Sequence, residues 1–367
     1  MDQQYTRQLE NIEAALERWL PENPSAAWAE EVFPGLGKKL GNWPLRSLTV
    51  PDRDLLSRGG KRWRPLLMTL ICESLGGGDA ALPLSPLVEF CHNASLIHDD
   101  IEDNSDERRG KPAVHLIYGA DTAINSGSFL YFLPLSCIEP WAAELEAKAG
   151  LPSVTDYKNR IYGLWAEYMR KLHLGQAMDI SWHRDFSLIP SIDEYYTMCG
   201  LKTGCLARFA AVLGVCAAEA ASVTNSRIAH NKAAQTLGEA AEKLGVGFQI
   251  LDDVKNLTVG IPGKKRGDDV VEGKKSLPVL LYLHSRPEQQ DMVSRCFTAA
   301  RAKGAAAAEV EELITALAAA GVLKEAQERG MALIAEARQV FAAPECAGLP
   351  MTGEGRSLLA GLTELIS

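Results

Sequence analysis

The chain lacks any CxxC pair, although it holds eight cysteines, at 72, 91, 137, 199, 205, 216, 296 and 346. Positions so scattered, most of them inside apolar runs, exclude a zinc knuckle or a disulfide framework and read as reduced core residues. A secretory leader is missing too: "MDQQYTRQLENIEAALERWL" is charged throughout and has no apolar h-region. The most apolar later stretch, "LARFAAVLGVCAAEAA", carries Arg208 and Glu219 and falls short of a membrane span. A cytoplasmic location is therefore expected. There is no excess of basic charge. The net charge of -9 has the wrong sign for nucleic acid as the main partner. It leaves room for an anionic ligand, because local cations or a bound metal invert the field inside an acidic protein. Neither GxxxxGK[ST] nor GxGxxG occurs, so nucleotide binding is not indicated.

Alternating strand patterns are almost absent as well, and helical periodicity takes their place. Amphipathic or apolar-faced segments run through "QLENIEAALERWL", "RWRPLLMTLICESLG", "LVEFCHNASLIHDDIED", "DYKNRIYGLWAEYMRKLHLGQAMDI", "TGCLARFAAVLGVCAAEA" and "AAQTLGEAAEKLGVGFQILDDVKNL". Gly and Pro gather between them, at "LGGGDAALPLSP", "AGLPSV" and "VGIPGKKRG", which read as loops. With 367 residues, 47% of them apolar, the chain is long enough to bury a large core. No repeat, linker or composition break divides it. The expectation is one all-α domain over 1–367, with an N-terminal helical extension over 1–45 and Ala-rich C-terminal helices over 300–367.

Two acidic motifs close apolar helices. In "LIHDDIEDNSDERRG", Asp99 and Asp103 are four apart, which on a helix sets their Cβ atoms roughly 5–6 Å apart on one face. Two carboxylates so placed repel unless a divalent ion lies between them. Mg²⁺ suits such a pair, since it takes one or two carboxylates plus substrate phosphates. The alternative is a solvated acidic helix end. Further on, "GFQILDDVKNL" brings Asp252 and Asp253, with Asn256 four after Asp252. Asn256 offers a neutral carbonyl oxygen, so Asp252 is the stronger metal ligand of this copy. Two such motifs facing each other across a bundle interior would hold several divalent ions.

Four basic clusters stand beside glycines: Lys61, Arg62 and Arg64 in "GGKRWRP"; Arg108 and Arg109 in "DERRGKPAVH"; Lys202 in "LKTG"; and Lys264, Lys265, Arg266, Lys274 and Lys275 in "GKKRGDDVVEGKKS". Arginine forks match phosphate oxygens, and lysine acts as a movable point charge. Each cluster alone reads as a solvated loop. Together with the two carboxylate sets they describe a pocket for phosphate-bearing ligands.

Five ordered motifs, "GGKRWRP", "LIHDDIEDNSDERRGKPAVHLIYG", "GQAMDI", "KTG" and "GFQILDDVKN…GKKRGDDVVEGKKSLP", resemble those of the all-trans polyprenyl (isoprenyl) diphosphate synthases over about residues 55–285. "HNASLIHDDIEDNS", "YF" at 131–132 and "LHLGQAMDI" are most similar to geranylgeranyl diphosphate synthases of the eukaryotic kind. The resemblance implies a single large helical bundle of the isoprenoid synthase type with a central cavity. It also implies a homodimer and Mg²⁺ as cofactor, three ions per active site. Asp99, Asp103, Asp252 and Asn256 would be metal ligands, with Asp100 in support. Arg108, Lys202, Lys265 and Lys274 would contact the allylic diphosphate, the choice between Lys264 and Lys265 staying open. Isopentenyl diphosphate would lie on Gly60, Lys61, Arg64, His92 and Arg109. Thr203 and Gln249 match polar positions near the reacting carbons. The family's second motif usually ends in aspartate, although Asn is found there in geranylgeranyl-type members.

The reaction implied is ionisation of the allylic C–O bond, attack by the double bond of isopentenyl diphosphate and loss of a proton. It needs no side-chain nucleophile, in keeping with the absence of a Ser/His/Asp or Cys/His constellation. The growing tail would run down between helices. Ala94 and Ser95, small residues one turn upstream of the metal face, leave room for a chain longer than fifteen carbons. Tyr131, Phe132 and His173 are candidate floor residues for a twenty-carbon product, with ordinary core packing as their alternative. Shorter farnesyl or longer polyprenyl products are the alternatives in length. A class I terpene cyclase would need [ND]Dxx[ST]xxxE, but Asn256 and Gly260 stand where the Ser/Thr and Glu belong. A non-catalytic subunit of a heteromeric synthase would typically have lost one acidic motif, and both are kept.

Overall fold

The computed structural model describes residues 3–149, 154–222, 227–260 and 265–366. Helix accounts for 78% of the chain and strand for about 2%, so the all-α expectation holds. The described strands form two antiparallel pairs of two residues each, Glu107–Arg108 with Lys111–Pro112 and Glu345–Cys346 with Leu349–Pro350. "AGLPSV" lies largely outside the described residues, as does Lys264.

The chain groups into two compact units. The first comprises Met1–Glu167, Arg208–Glu239 and Val340–Ile366. Its central helices are Trp63–Ser74 and Ser85–Glu102, which are buried over most of their circumference, as expected of helices apolar on nearly every side. The helix Gln3–Trp19 lays Ile12, Leu16 and Trp19 into this core at helical spacing. The C-terminal helix Gly353–Ile366 closes on the end of Trp63–Ser74, where Thr352 N–H donates to Ser74 O (2.9 Å) and the Tyr5 hydroxyl donates to Leu358 O. Gly355 is required at this contact, since a Cβ there would sit 2.5 Å from Ser74 Cβ.

The second unit comprises Tyr168–Ala207 and Ala240–Gln339. Val246, Ile250, Val254 and Leu257, one face of the helix Arg227–Thr258, join Leu277, Leu280 and Leu281 of the helix Leu277–Ser285 in its core. A capping box starts the helix Ile192–Cys199, Ser191 accepting from Glu194 N–H while Glu194 accepts from Ser191 N–H. This helix runs through a π-helical turn, Gly200–Gly204, into Cys205–Ala221. Among the described residues Ile192–Ala221 is long and apolar enough to cross a membrane by length and composition, yet 89% of its most apolar 18-residue window is buried in the protein. All eight cysteines are reduced thiols and buried.

Candidate functional site

In the first unit, the helix Ser85–Glu102 ends in the acidic motif. Asp103 caps it, its N–H donating to Asp99 O at 2.9 Å, so the four-residue spacing of the two carboxylates is a helical one. Asn104 then turns left-handed, at φ 53°, and stops the helix. Carboxylates here sit at the negative end of the helix dipole, an unfavourable placement that a cation offsets. Among the described residues no three or more His, Cys, Asp or Glu side chains gather as a metal cage. Oxygen-only donors in ones and twos fit Mg²⁺, which completes its shell with water and phosphate oxygens.

Just beyond lies the hairpin Glu107–Pro112. Arg109 (φ 53°) and Gly110 (φ 76°) form its two-residue loop, the left-handed pair that a type I′ turn requires. Arg108 leans back onto the motif, donating to Asp100 Oδ1 from Nε (2.8 Å) and Nη2 (2.5 Å), with Nη2 3.6 Å from Asp99 Oδ2. Burial raises the Asp100 carboxyl above the usual range, and Arg108 acts against that rise. Arg109 instead donates to Asn93 Oδ1 and Leu55 O, each at 3.2 Å. Arg58 pins the hairpin from below, through Arg108 O (3.0 Å) and Pro112 O (2.9 Å), while ion-paired to Asp54 (2.8 Å).

The other expected members of this set converge on the same helix. Arg64 Nη1 lies 3.4 Å from His92 Nε2. Burial, followed by the charges of Arg64 and Arg109, holds His92 well below the ordinary histidine pKa, so its ring is neutral at pH 7. Gly60 (φ 148°) and Lys61 are exposed in the preceding turn. Ala94 is fully buried and Ser95 half-buried, its hydroxyl donating to His92 O. His98 contacts Ala94 O (2.9 Å) and Ser128 Oγ (3.3 Å), and its ring lies 5.7 Å from that of Tyr131. Gly127 admits this imidazole, because a Cβ there would meet His98 Cε1 at 3.0 Å.

Tyr131 and Phe132 do not share a floor. Neighbours on a helix point about 100° apart, and here Tyr131 is buried while Phe132 is 59% exposed against Trp165, 5.5 Å between ring centres. His173, in the second unit, is also exposed, with Nδ1 2.8 Å from Met169 O.

In the second unit the π-helical turn carries Lys202 and Thr203. Such turns are rare and concentrate at functional sites. Gly175 makes room for it: a Cβ there would lie 2.4 Å from Lys202 N. Lys202 Nζ is ion-paired to Asp179 Oδ2 at 2.6 Å. Sequence reasoning passed over Asp179, although it closes the "GQAMD" stretch. Thr203 donates to Gln249 Oε1 (3.0 Å), and Gln249 donates in turn to Asp253 Oδ1 (2.8 Å). The Tyr195 hydroxyl holds the other Asp253 oxygen at 2.9 Å. Asp253 is the inward member of the pair, and its burial and the charge of Asp269 push its carboxyl up to about 7, while Asp252 stays partly exposed.

Asn256 departs from the role of metal ligand. It is buried, its Oδ1 accepts from Asp269 N–H (3.2 Å) and its Nδ2 donates to Lys265 O (3.3 Å). Its amide therefore ties the "KRGDD" loop to the helix, and its oxygen is engaged by a backbone N–H. Lys265 is exposed, its N–H donating to Asp268 Oδ2 (2.6 Å), and Lys274 pairs with Glu272 at 2.6 Å.

The sequence signature of the Polyprenyl synthetase family matches residues 46–317. A geranylgeranyl pyrophosphate synthase of Neocamarosporium betae is 34% identical over 249 residues, 67% of this chain and 64% of that protein. A geranylfarnesyl diphosphate synthase of Aeropyrum pernix is 32% identical over 256 residues, 66% of this chain and 74% of that protein. The match thus spans about two thirds to three quarters of these relatives' length. Among solved structures, geranylgeranyl pyrophosphate synthetase from Pyrococcus horikoshii superposes with a TM-score of 0.75 at 25% identity, covering 99% of this chain and 96% of that one. With the family signature over most of its length, the chain belongs to the polyprenyl synthetase family.

Proposed function

We propose that this protein is a trans-prenyltransferase that condenses isopentenyl diphosphate with an allylic diphosphate, giving a twenty-carbon all-trans prenyl diphosphate. The observation that carries the reading is the Ser85–Glu102 helix with its hairpin. Neighbouring arginines there take separate partners, Arg108 on the acidic motif and Arg109 on Asn93. That separation supports a reading in which each arginine serves a different diphosphate.

Asp99 and Asp103 would hold Mg²⁺, and Asp252 a further ion, three in all with substrate. Bound there, Mg²⁺ supplies positive charge to the diphosphate oxygens that receive the bond electrons. Arg108, Lys202, Lys265 and Lys274 hold the allylic diphosphate and share that charge as the C–O bond breaks. Gly60, Lys61, Arg64, His92 and Arg109 seat isopentenyl diphosphate so that its double bond attacks the allylic carbon, and the departing diphosphate takes the proton released. Thr203 and Gln249, hydrogen-bonded to each other, present polar oxygens near the reacting carbons. Neutral His92 adds a hydrogen-bonding group without further charge.

The small side chains of Ala94 and Ser95, one turn below the acidic motif, are read as leaving room for a product longer than fifteen carbons, with the buried Tyr131 as the candidate that ends it. Leu116, Ile117 and Ile124, exposed on the consecutive helices Val114–Tyr118 and Ala120–Phe132, fit a homodimer. A cytoplasmic location belongs to the same reading. Purified protein incubated with Mg²⁺, isopentenyl diphosphate and each allylic primer should yield geranylgeranyl diphosphate as the main product. Hydrocarbon from a single substrate, or no product without a second subunit, would overturn the reading.

A further inference from the structure

Arg62 stands in "GGKRWRP", the most basic stretch of the first unit, yet its guanidinium is consumed inside the protein. Nε donates to Glu13 Oε1 (2.7 Å), Nη1 to Glu89 Oε1 (2.9 Å) and Gly59 O (3.3 Å), and Nη2 to Leu56 O (2.6 Å). Those bonds occupy about four of the five N–H donors an arginine has. The backbone is left-handed at this residue, φ 47°, an uncommon and strained conformation for a side chain of this size. It turns the side chain inward, where it is buried.

The same Glu89 oxygen accepts from Asn93 Nδ2 at 3.0 Å, and Asn93 Oδ1 accepts from Arg109 Nη1 at 3.2 Å. Glu89 and Asn93 are buried. Arg62 and Arg109 also crowd one backbone atom: a Cβ on Gly60 would lie 3.0 Å from Arg62 Nη1 and 3.2 Å from Arg109 Nη2. Two guanidinium groups this close repel, and Glu89 is the buried anion that reconciles them. Burial pulls Arg109 down to about 10, Glu89 acts against that fall, and Arg62 adds to it.

We propose that Arg62, Glu89 and Asn93 are positioning residues for Arg109, closed from outside by Glu13 of the N-terminal helix, and that they set the affinity for isopentenyl diphosphate. The inference rests on the reading that Arg109 receives that substrate. It gives the N-terminal helix a part in binding. Selectivity follows from the partners: Arg108, next in the chain, is held by Asp100 and not by this network.

The test compares wild type, Asn93→Ala, Glu13→Gln and the double variant. Isopentenyl diphosphate binding is measured calorimetrically without divalent metal, and both substrate KM values are measured with Mg²⁺. Loss of a hydrogen bond to a charged group predicts about a tenfold weaker Kd and higher KM for isopentenyl diphosphate in Asn93→Ala. The allylic KM and kcat should stay within about twofold, which a general loss of structure would not spare. Glu13→Gln should weaken isopentenyl diphosphate binding about two- to threefold, and the double variant should be no weaker than Asn93→Ala, because both act through one chain of contacts. Equal movement of both substrates, unchanged isopentenyl diphosphate affinity or additive effects would overturn the network. Should Asn93→Ala fail to unfold cooperatively, Glu13→Gln, altered at an exposed carboxylate, decides alone. Wild type that binds no isopentenyl diphosphate would instead overturn the functional reading beneath it.

Discussion

Arg108 aims both Nε and Nη2 at a single oxygen, Oδ1 of Asp100, at 2.8 and 2.5 Å. Asp100 has no exposure at all, while its neighbour Asp99 stays partly open. The consecutive aspartates thus differ: Asp100 anchors the arginine, while Asp99 keeps a partly exposed carboxylate, the one that the proposed function assigns to a metal. Asp100→Asn keeps the shape and removes the charge that holds Arg108. Outer partners of this kind typically contribute about 10–100-fold. Activity should fall by that order, with the allylic KM rising and the isopentenyl diphosphate KM little changed. Steady-state kinetics on both substrates would check this, and equal effects on the two would refute it.

Tyr131 and Phe132 predict different outcomes when truncated singly. Tyr131→Ala opens space beside His98 and should shift products beyond twenty carbons. Removing a buried aromatic also costs about 3 kcal/mol or more, so the assay belongs well below the unfolding temperature. Phe132→Ala, on the exposed side, should leave the product distribution as it is. Sizing the prenyl chains by chromatography separates these cases, and a shift in the Phe132 variant alone would reverse the assignment.

The helices were legible because period-3.6 patterning, as in Gln3–Trp19, or apolar runs too long for a strand, as in Trp63–Ser74, extend over long stretches. The acidic motif was legible because four-residue spacing maps directly onto one helix face. Three features were not. The Glu107–Pro112 hairpin has strands of two residues, too short for alternation to register, and only Gly110 after "RR" signals its turn. The π-helical turn at Gly200–Gly204 has no sequence period, and the glycine that makes room for it, Gly175, is distant in the chain. Asn256 looked like a metal ligand because local spacing ignores the loop that comes back to it. Its partners, Lys265 and Asp269, are nine and thirteen residues on.

Gly175→Ala tests whether the π-helical turn is held by backbone contact. The added Cβ would lie 2.4 Å from Lys202 N and 2.7 Å from Leu201 C, and backbone cannot swing aside as a flexible side-chain end would. Overpacking of this kind costs about 1–3 kcal/mol. Urea unfolding should show that loss, and kcat should fall more steeply than stability because Lys202 and Thr203 move together. A variant with full activity would show that the turn tolerates displacement.

Lys275 gives the chain an alkaline signature. Its ammonium is buried between the rings of Phe186 and Phe297, 5.1 and 5.0 Å from their centres, and donates to Trp182 O at 3.2 Å. Burial lowers its pKa to about 8, with Asp185 acting against that fall and Arg301 adding to it. The unfolded chain, with a lysine near 10.5, holds more protons than the native state between those values, so stability rises with pH across that window. The depressed-pKa contribution is complete above about 10.5 and is lost as pH falls through 8. Its full size is of order 3 kcal/mol at about 1.4 kcal/mol per pH unit. Lys275→Met fills the aromatic cage without a charge and should flatten the rise between pH 8 and 10.5. Urea midpoints of both proteins at pH 7.5, 9 and 10 would measure this, and parallel curves would show that Lys275 carries none of the dependence.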